Sequence, residues 1–316
     1  MTTCYIDRKE AELRADGRAI AVYEGGRRTS AIPLGPLTRL VIVGNIQLET
    51  RLLHRLAEQG VVVYLIGGRR HQVLGSFAAT LHGDGARRLA QYRAAHDGTR
   101  TRDQAATTLA AKLDGQRAIL QELHPHARHG AVVTASIERI ETARTRLAEE
   151  TATVETLRGL EGAAAAAYFT AYQECLPPSL GFTDRNRRPP KDPVNALLSL
   201  TYTLVHAEYL REVTVAGLDP MVGFLHEPAF GRESLVCDLV EPARPAVDRF
   251  IWTLFHQRTF TARDFSTGEE RPGCYLKKAA RARYYPLYEA WAEQGRPAWR
   301  DAVRTLVRSL EPSSTR

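Results

Sequence analysis

Short apolar segments separated by turn residues fill the first quarter of the chain. They lie around Tyr5 and at 19–23, 40–43, 61–66 and 73–77, each the length of a strand rather than of a helix. Asp16-Gly17 and Gly25-Gly26 offer the positive φ angles that hairpin turns require. One stretch with a 3.6-residue period, 46–59, interrupts the series. After His82-Gly83-Asp84-Gly85 the texture changes to Ala-, Leu- and Arg-rich segments of helical period at 86–96, 101–123, 131–150 and 155–175. A proline-rich loop, 176–193, follows and reads as mobile. Helix resumes over 195–216 and continues in stretches to Leu310. The expected fold is α+β: a β-rich, sandwich-like domain over 1–84, then a larger all-α domain over 85–316.

Composition narrows this picture without changing it. At 316 residues the chain exceeds the usual size of one domain, and 44% hydrophobic with 25% charged residues is ordinary globular usage, which excludes a disordered or collagen-like chain. The first ten residues are polar and include Asp7, Arg8, Lys9 and Glu10, so no export signal is expected. No apolar run approaches the roughly 20 residues that span a bilayer. Cys4, Cys175, Cys237 and Cys274 stand far apart with no CxxC, which points away from a zinc ribbon or a disulfide framework and toward a reducing cytoplasm. The net charge is +7, and only five of the 43 basic residues are lysines. A guanidinium fork grips phosphate in two places, so this bias suits a polyanion partner, although GC-rich coding produces it as well.

Three segments can carry chemistry. Glu161 stands in a small-residue stretch, Leu157 to Phe169, flanked by Gly159 and Gly162 and followed two turns later by Tyr168 on the same face. Glycines weaken a helix, a cost that makes sense where something must approach the backbone. His226 ends the glycine-punctuated run that begins at Gly217-Leu-Asp-Pro. Asp238 and Glu241, three apart in a Leu/Val-rich helix starting near Ser234, share a face. One histidine with two or three carboxylates is an oxygen-rich donor set suited to Mg²⁺ or Mn²⁺.

These stretches, together with Arg188-Pro-Pro-Lys-Asp-Pro-Val-Asn-Ala-Leu-Leu-Ser at 188–199, Tyr202, and Ser234 to Pro245, resemble the CRISPR-associated integrase family (Cas-one), the endonuclease of spacer acquisition. The order and spacing of the blocks match over about 158–248. The resemblance implies a metal-dependent DNA endonuclease and integrase that joins 3′-hydroxyl ends to a phosphodiester of a CRISPR array. It further implies Glu161, His226 and a carboxylate of the Asp238/Glu241 pair as metal ligands, with Glu241 favoured and Asp238 behind it. A homodimer formed through the β domains, a small ferredoxin-like partner protein and double-stranded DNA complete the expected assembly. Two other readings stay open: a nuclease of branched DNA using the same site, and a non-catalytic basic DNA scaffold.

The residues expected to meet DNA are Tyr168, Arg187, Arg188, Asn195, Lys277, Arg300, Arg304 and Arg308. Between Arg271 and Arg308 nine basic residues face only Glu289, Glu293 and Asp301, and Arg296, Arg300, Arg304 and Arg308 recur every fourth position. That stripe can follow a phosphate backbone or be the solvated face of an amphipathic helix. His124-Pro-His126 with His129 reads as an interhelix connection, and His206 as a packed histidine.

Overall fold

The computed structural model describes residues 2–8, 10–67, 73–77, 85–149, 152–186, 189–268 and 271–311. The chain divides into two compact units, Met1–Gly83 and Asp84–Arg316.

The first unit holds β1 (Thr2–Ile6), β2 (Glu12–Asp16), β3 (Ala19–Glu24), β4 (Arg27–Pro33), β5 (Leu37–Val43), β6 (Gln47–Leu48), α1 (Thr50–Glu58), β7 (Val62–Ile66) and β8 (Val73–Phe77). One sheet has the order β1-β5-β7-β8 and the other β4-β3-β2-β6. The hairpins turn where Gly17 (φ 53°) and the pair Gly25 and Gly26 (φ 56° and 77°) take left-handed backbone that other residues resist. β5 and β7 run parallel, so the chain must cross over between them, and α1 is that crossover. Leu13, Ile20 and Val22 from one sheet, Leu40, Ile42 and Val63 from the other, and Leu52 and Leu56 of α1 enclose a single core. This is the sandwich-like unit expected. Strands β2 and β4 escape the apolar pattern because β2 buries only Leu13 completely and β4 is a largely exposed edge strand.

The second unit is mostly helical: α2 (Gly85–His96), α3 (Gly98–Leu123), α4 (Gly130–Arg146), α5 (Val154–Glu174), α6 (Pro193–Val215), α7 (Ser234–Val240), α8 (Arg244–His256) and α9 (Lys278–Leu310). Their starts follow from capping. Asp97 accepts from the N–H groups of Thr99 and Arg100, separating α2 from α3, Thr153 caps α5, and Asp192 caps α6 ahead of Pro193. α6 is buried on nearly every side, as its continuous apolar sequence requires, and it packs against α7, α8 and α9. α3 packs against α4, α5 and α8.

Two expectations are corrected in this unit. It is not wholly α: β9 (Phe265–Gly268) and β10 (Arg271–Leu276) form an antiparallel hairpin that buries Phe265, Cys274 and Leu276. The described part of the 176–193 loop is also pinned rather than loose. Phe182 is buried against Phe169 and Tyr172, and the Cys274 N–H donates to the Pro190 carbonyl at 2.7 Å. Gly273 (φ 116°) seats that contact, because a β-carbon there would stand 2.7 Å from Pro189 Cβ. Among the described residues, no helix is long and apolar enough to cross a membrane.

Candidate active site

Four helices, the short turn between α7 and α8, and one loop converge on a group of charged side chains in the second unit. α3 presents a buried face of Leu109, Lys112, Leu113, Gln116 and Leu120, so Lys112 enters an apolar seam with 5% of its surface exposed. Its ammonium ion-pairs with Glu161 Oε1 from α5 and lies 2.6 Å from Glu241 Oε2. Glu241 opens a single 3-10 turn, Glu241–Ala243, between α7 and α8. Pro242 causes that change of pitch, since it has no N–H to continue the α7 ladder. The other Glu241 oxygen, Oε1, accepts from Arg244 Nε at 2.8 Å. Burial alone would raise the Glu241 carboxyl; Arg244, Lys112 and His226 together outweigh that and hold it at about 2.

His226 arrives on the loop after α6, and Asp238 of α7 builds that loop. Asp238 Oδ2 accepts the N–H groups of Phe224 (2.6 Å) and Leu225 (2.9 Å), while Oδ1 accepts the His226 N–H at 3.0 Å and stands 2.7 Å from His226 Nδ1. With Nδ1 held by a carboxylate, Nε2 is the nitrogen left for chemistry. Gly223 permits this approach: a β-carbon would lie 2.6 Å from Asp238 Oδ2 and 2.8 Å from the Ser234 carbonyl carbon. Arg158 of α5 ties the same loop down by donating to the Leu225 carbonyl at 2.7 Å and to Glu227 at 2.6 Å.

Beneath the site lies a second polar layer. The Tyr202 hydroxyl donates to Asp248 Oδ1, and the Arg244 guanidinium stacks 4.5 Å over the Tyr202 ring, so Glu241 is braced through Arg244 onto Tyr202 and Asp248. Burial pushes the Asp248 carboxyl up to about 6, against the opposing pull of Tyr202, Tyr168, Arg185 and Arg244. Arg185 donates to Asn195 Oδ1 at 2.7 Å and to Ser199 at 3.1 Å, linking the proline-rich loop to α6.

The structure therefore gathers Glu161, His226, Asp238 and Glu241. The chain's sequence pattern had not singled out Lys112, Arg244 or Arg158 as parts of this assembly, whereas Gly223 belongs to the glycine-punctuated run that ends at His226. The DNA-facing set is corrected at two positions. Tyr168 has no exposed surface and stacks on Tyr172 in the core of the helical unit. Asn195 is equally buried and serves the α6 start, donating to Asp192 Oδ2 at 2.6 Å and to the Asp184 carbonyl at 2.8 Å. Neither can touch a duplex from there. Lys277, Arg304 and Arg308 are exposed and Arg300 is half-buried, while Arg187 and Arg188 lie outside the described residues. Arg296 leaves the basic stripe altogether, buried between Glu208 (2.9 Å) and Glu289 (2.6 Å).

As they stand, no three carboxylate, imidazole or thiol groups among the described residues are close enough together to hold a metal ion. The donor chemistry nevertheless fits one. Glu161 and Glu241 already share one cation, Lys112. Glu241 Oε2 is buried and makes no well-directed hydrogen bond, and His226 lies within electrostatic reach of Glu241. Glu161, Glu241 and His226 are thus the residues that would hold Mg²⁺ or Mn²⁺ if such an ion binds.

A sandwich-like β unit followed by a helical unit that carries a partly buried Glu/Glu/His/Asp cluster defines a two-unit protein with a carboxylate-and-histidine site in its helical part. The family model described as "CRISPR associated protein Cas1" matches residues 4–290, and the chain belongs to that family. It is 42% identical over 311 residues to "CRISPR-associated endonuclease Cas1 1" of Thermodesulfovibrio yellowstonii, covering 98% of this chain and 97% of that relative. Among solved structures it is similar in fold to a CAS1 protein from Thermotoga maritima, with TM-score 0.85, 22% identity and coverage of 98% and 97%. It is also similar to a casposase bound to its integration product, with TM-score 0.82, 21% identity and coverage of 99% and 92%. A third likeness is to a chain of a Cas6-RT-Cas1–Cas2 complex, with TM-score 0.83, 21% identity and coverage of 98% of this chain and 35% of that one.

Proposed function

We propose that this chain is a metal-dependent DNA endonuclease and integrase of CRISPR adaptation, joining the 3′-hydroxyl of a DNA fragment to a phosphodiester of the array. The observation that carries the proposal is the pair Glu161 and Glu241, drawn to one cationic point beside His226, in a Cas1-family chain. Mg²⁺ or Mn²⁺ held by Glu161, Glu241 and His226 would polarise the phosphodiester and favour ionisation of the attacking hydroxyl. The chain's own residues do the rest. Asp238 holds the His226 ring by Nδ1, Arg244 fixes the direction of Glu241, and the Tyr202–Asp248 pair keeps Arg244 in place. Exposed arginines of α9 supply phosphate contacts that are independent of sequence.

The rest of the reading is a cytoplasmic homodimer, joined through its β units, that works with a small ferredoxin-like protein. The likeness to a chain of a Cas6-RT-Cas1–Cas2 complex supports the presence of a protein partner in this reading. The test is a strand-transfer assay with supercoiled target, free-ended oligonucleotides and Mn²⁺ or Mg²⁺, with and without the small partner. Joined product that needs the metal and is lost in Glu161→Gln supports the proposal. Equal product in chelator overturns it.

A further inference from the structure

Lys112 has no part in the chemistry just described, yet it sits at the centre of the residues assigned to it. We infer that Lys112 is a tethered cation occupying the position of the divalent metal between Glu161 and Glu241, that it is exchanged for the metal when the site loads, and that it sets the metal affinity. The inference rests on the metal reading of the site.

Charge balance is the first argument. Glu161 and Glu241 carry two negative charges, and Lys112 and Arg244 answer them with two positive ones. Asp238, which holds the His226 ring at 2.7 Å, adds a third negative charge beside that set, so a divalent ion added to it would still leave one uncompensated positive charge in a largely buried cluster, which is costly in a medium of low polarisability. One cation must leave. Arg244 is held by its hydrogen bond to Glu241 and by stacking on Tyr202. Lys112 is a point charge on a flexible four-carbon stem.

Contact geometry is the second argument. The Lys112 ammonium lies 2.6 Å from Glu241 Oε2, which has no well-directed hydrogen bond, so charge rather than direction holds that contact. Glu161, the other partner, has 30% of its side chain exposed against 7% for Glu241, which opens the pair to solvent on the Glu161 side. Without a metal, the buried Glu241 carboxylate and the half-buried Glu161 carboxylate beside it repel each other. The ammonium removes that repulsion and keeps both carboxylates in place until an ion arrives.

The experiment compares Mn²⁺ binding to the full-length wild-type chain and to Lys112→Met, reading free Mn²⁺ by electron paramagnetic resonance without DNA. The expected result is affinity roughly tenfold or more tighter in Lys112→Met, with a larger rise in melting temperature on adding Mn²⁺ than in wild type. Equal or weaker binding by Lys112→Met overturns the inference. If neither chain binds Mn²⁺, the metal reading falls and the inference with it; if only the variant binds, the lysine excludes the ion instead of exchanging with it, and the inference is overturned. Lys112→Gln serves should the methionine variant fail to fold. The wild-type chain gives an independent reading, because it has only five lysines. With lysine labelled at Cε, one buried lysine signal should move in step with Mg²⁺ occupancy, and the absence of any such movement overturns exchange.

Discussion

His226 Nδ1 lies 2.7 Å from Asp238 Oδ1, and the same carboxylate accepts the backbone N–H groups of Phe224, Leu225 and His226. Asp238 is thereby committed to building the histidine loop, whereas Glu241 has a buried oxygen held only by charge. The two carboxylates should respond differently to substitution. Asp238→Ala leaves three N–H groups without their acceptor and should lower stability by about 3–5 kcal/mol, with activity falling as the loop loses its order. Glu241→Gln should abolish Mn²⁺-dependent strand transfer while DNA affinity stays within about twofold of wild type. Thermal unfolding, strand transfer and DNA titration on both variants check this. An Asp238→Ala chain as stable as wild type would show that the loop does not depend on its carboxylate.

Gly223 makes the Asp238–His226 contact possible, so it offers a test that leaves every charged group in place. Its backbone is not left-handed; the demand is for space, since a β-carbon would meet Asp238 Oδ2 at 2.6 Å and the Ser234 backbone at 2.8 Å. Backbone of α7 cannot yield as a flexible side chain can. Gly223→Ala should lower stability by about 1–3 kcal/mol and cut strand transfer well beyond the loss of folded protein. Activity measured far below the melting point separates the two effects. Full activity there would remove the glycine from the site.

Asp248 should make stability depend on pH in a definite direction. Its carboxyl, pushed from the ordinary 3.8 up to about 6 mainly by burial, binds its proton more tightly in the folded chain than in the unfolded one. The stability this contributes is fully present below pH of about 4 and is lost as pH rises through about 6, for a total of about 3 kcal/mol. Asp248→Asn lacks that titration. Wild type minus Asp248→Asn stability should therefore fall across pH 4 to 6.5 and level off above it. Chemical denaturation of both chains at several pH values reads the difference, and a flat or rising difference contradicts it.

The helical unit was largely legible because its signals are local. The segments 86–96 and 101–123 became α2 and α3, and Asp97 marks the break between them. Glu161, His226, Asp238 and Glu241 stood out as the residue types a metal-assisted reaction uses. Lys112 did not, since a lysine in an Ala/Leu-rich helix ordinarily faces water. Its spacing from Leu109 and Gln116 places it on the buried face, which is the signal that could have exposed it. Tyr168 and Asn195 failed in the opposite direction. A tyrosine and an asparagine near a basic loop look available for DNA, and only packing shows them spent on the core and on the α6 start. The β9–β10 hairpin was missed because its burial, at Phe265, Cys274 and Leu276, is spread across a segment rich in Gly and Pro.

The arginine stripe of α9 resolves into two kinds of residue, and the difference is measurable. Arg304 and Arg308 are exposed and Arg300 is half-buried. Arg308 also approaches Asp301 at 3.5 Å, an exposed pair that contributes little. Each phosphate neutralised by such a group releases condensed counterions and adds about 0.9 to the slope of log affinity against log salt. Replacing Arg300, Arg304 and Arg308 together with Gln should reduce the magnitude of that slope by roughly two to three while leaving the melting temperature nearly unchanged. Arg296→Leu should do the reverse. It withdraws the guanidinium from buried Glu208 and from Glu289, at a cost of about 3–5 kcal/mol, and leaves the slope as it was. Fluorescence titrations of duplex DNA between about 50 and 200 mM salt, paired with thermal melts, read both quantities. An unchanged slope in the triple variant assigns those arginines to an ordinary solvated helix face, and a changed slope in Arg296→Leu contradicts its placement in the core.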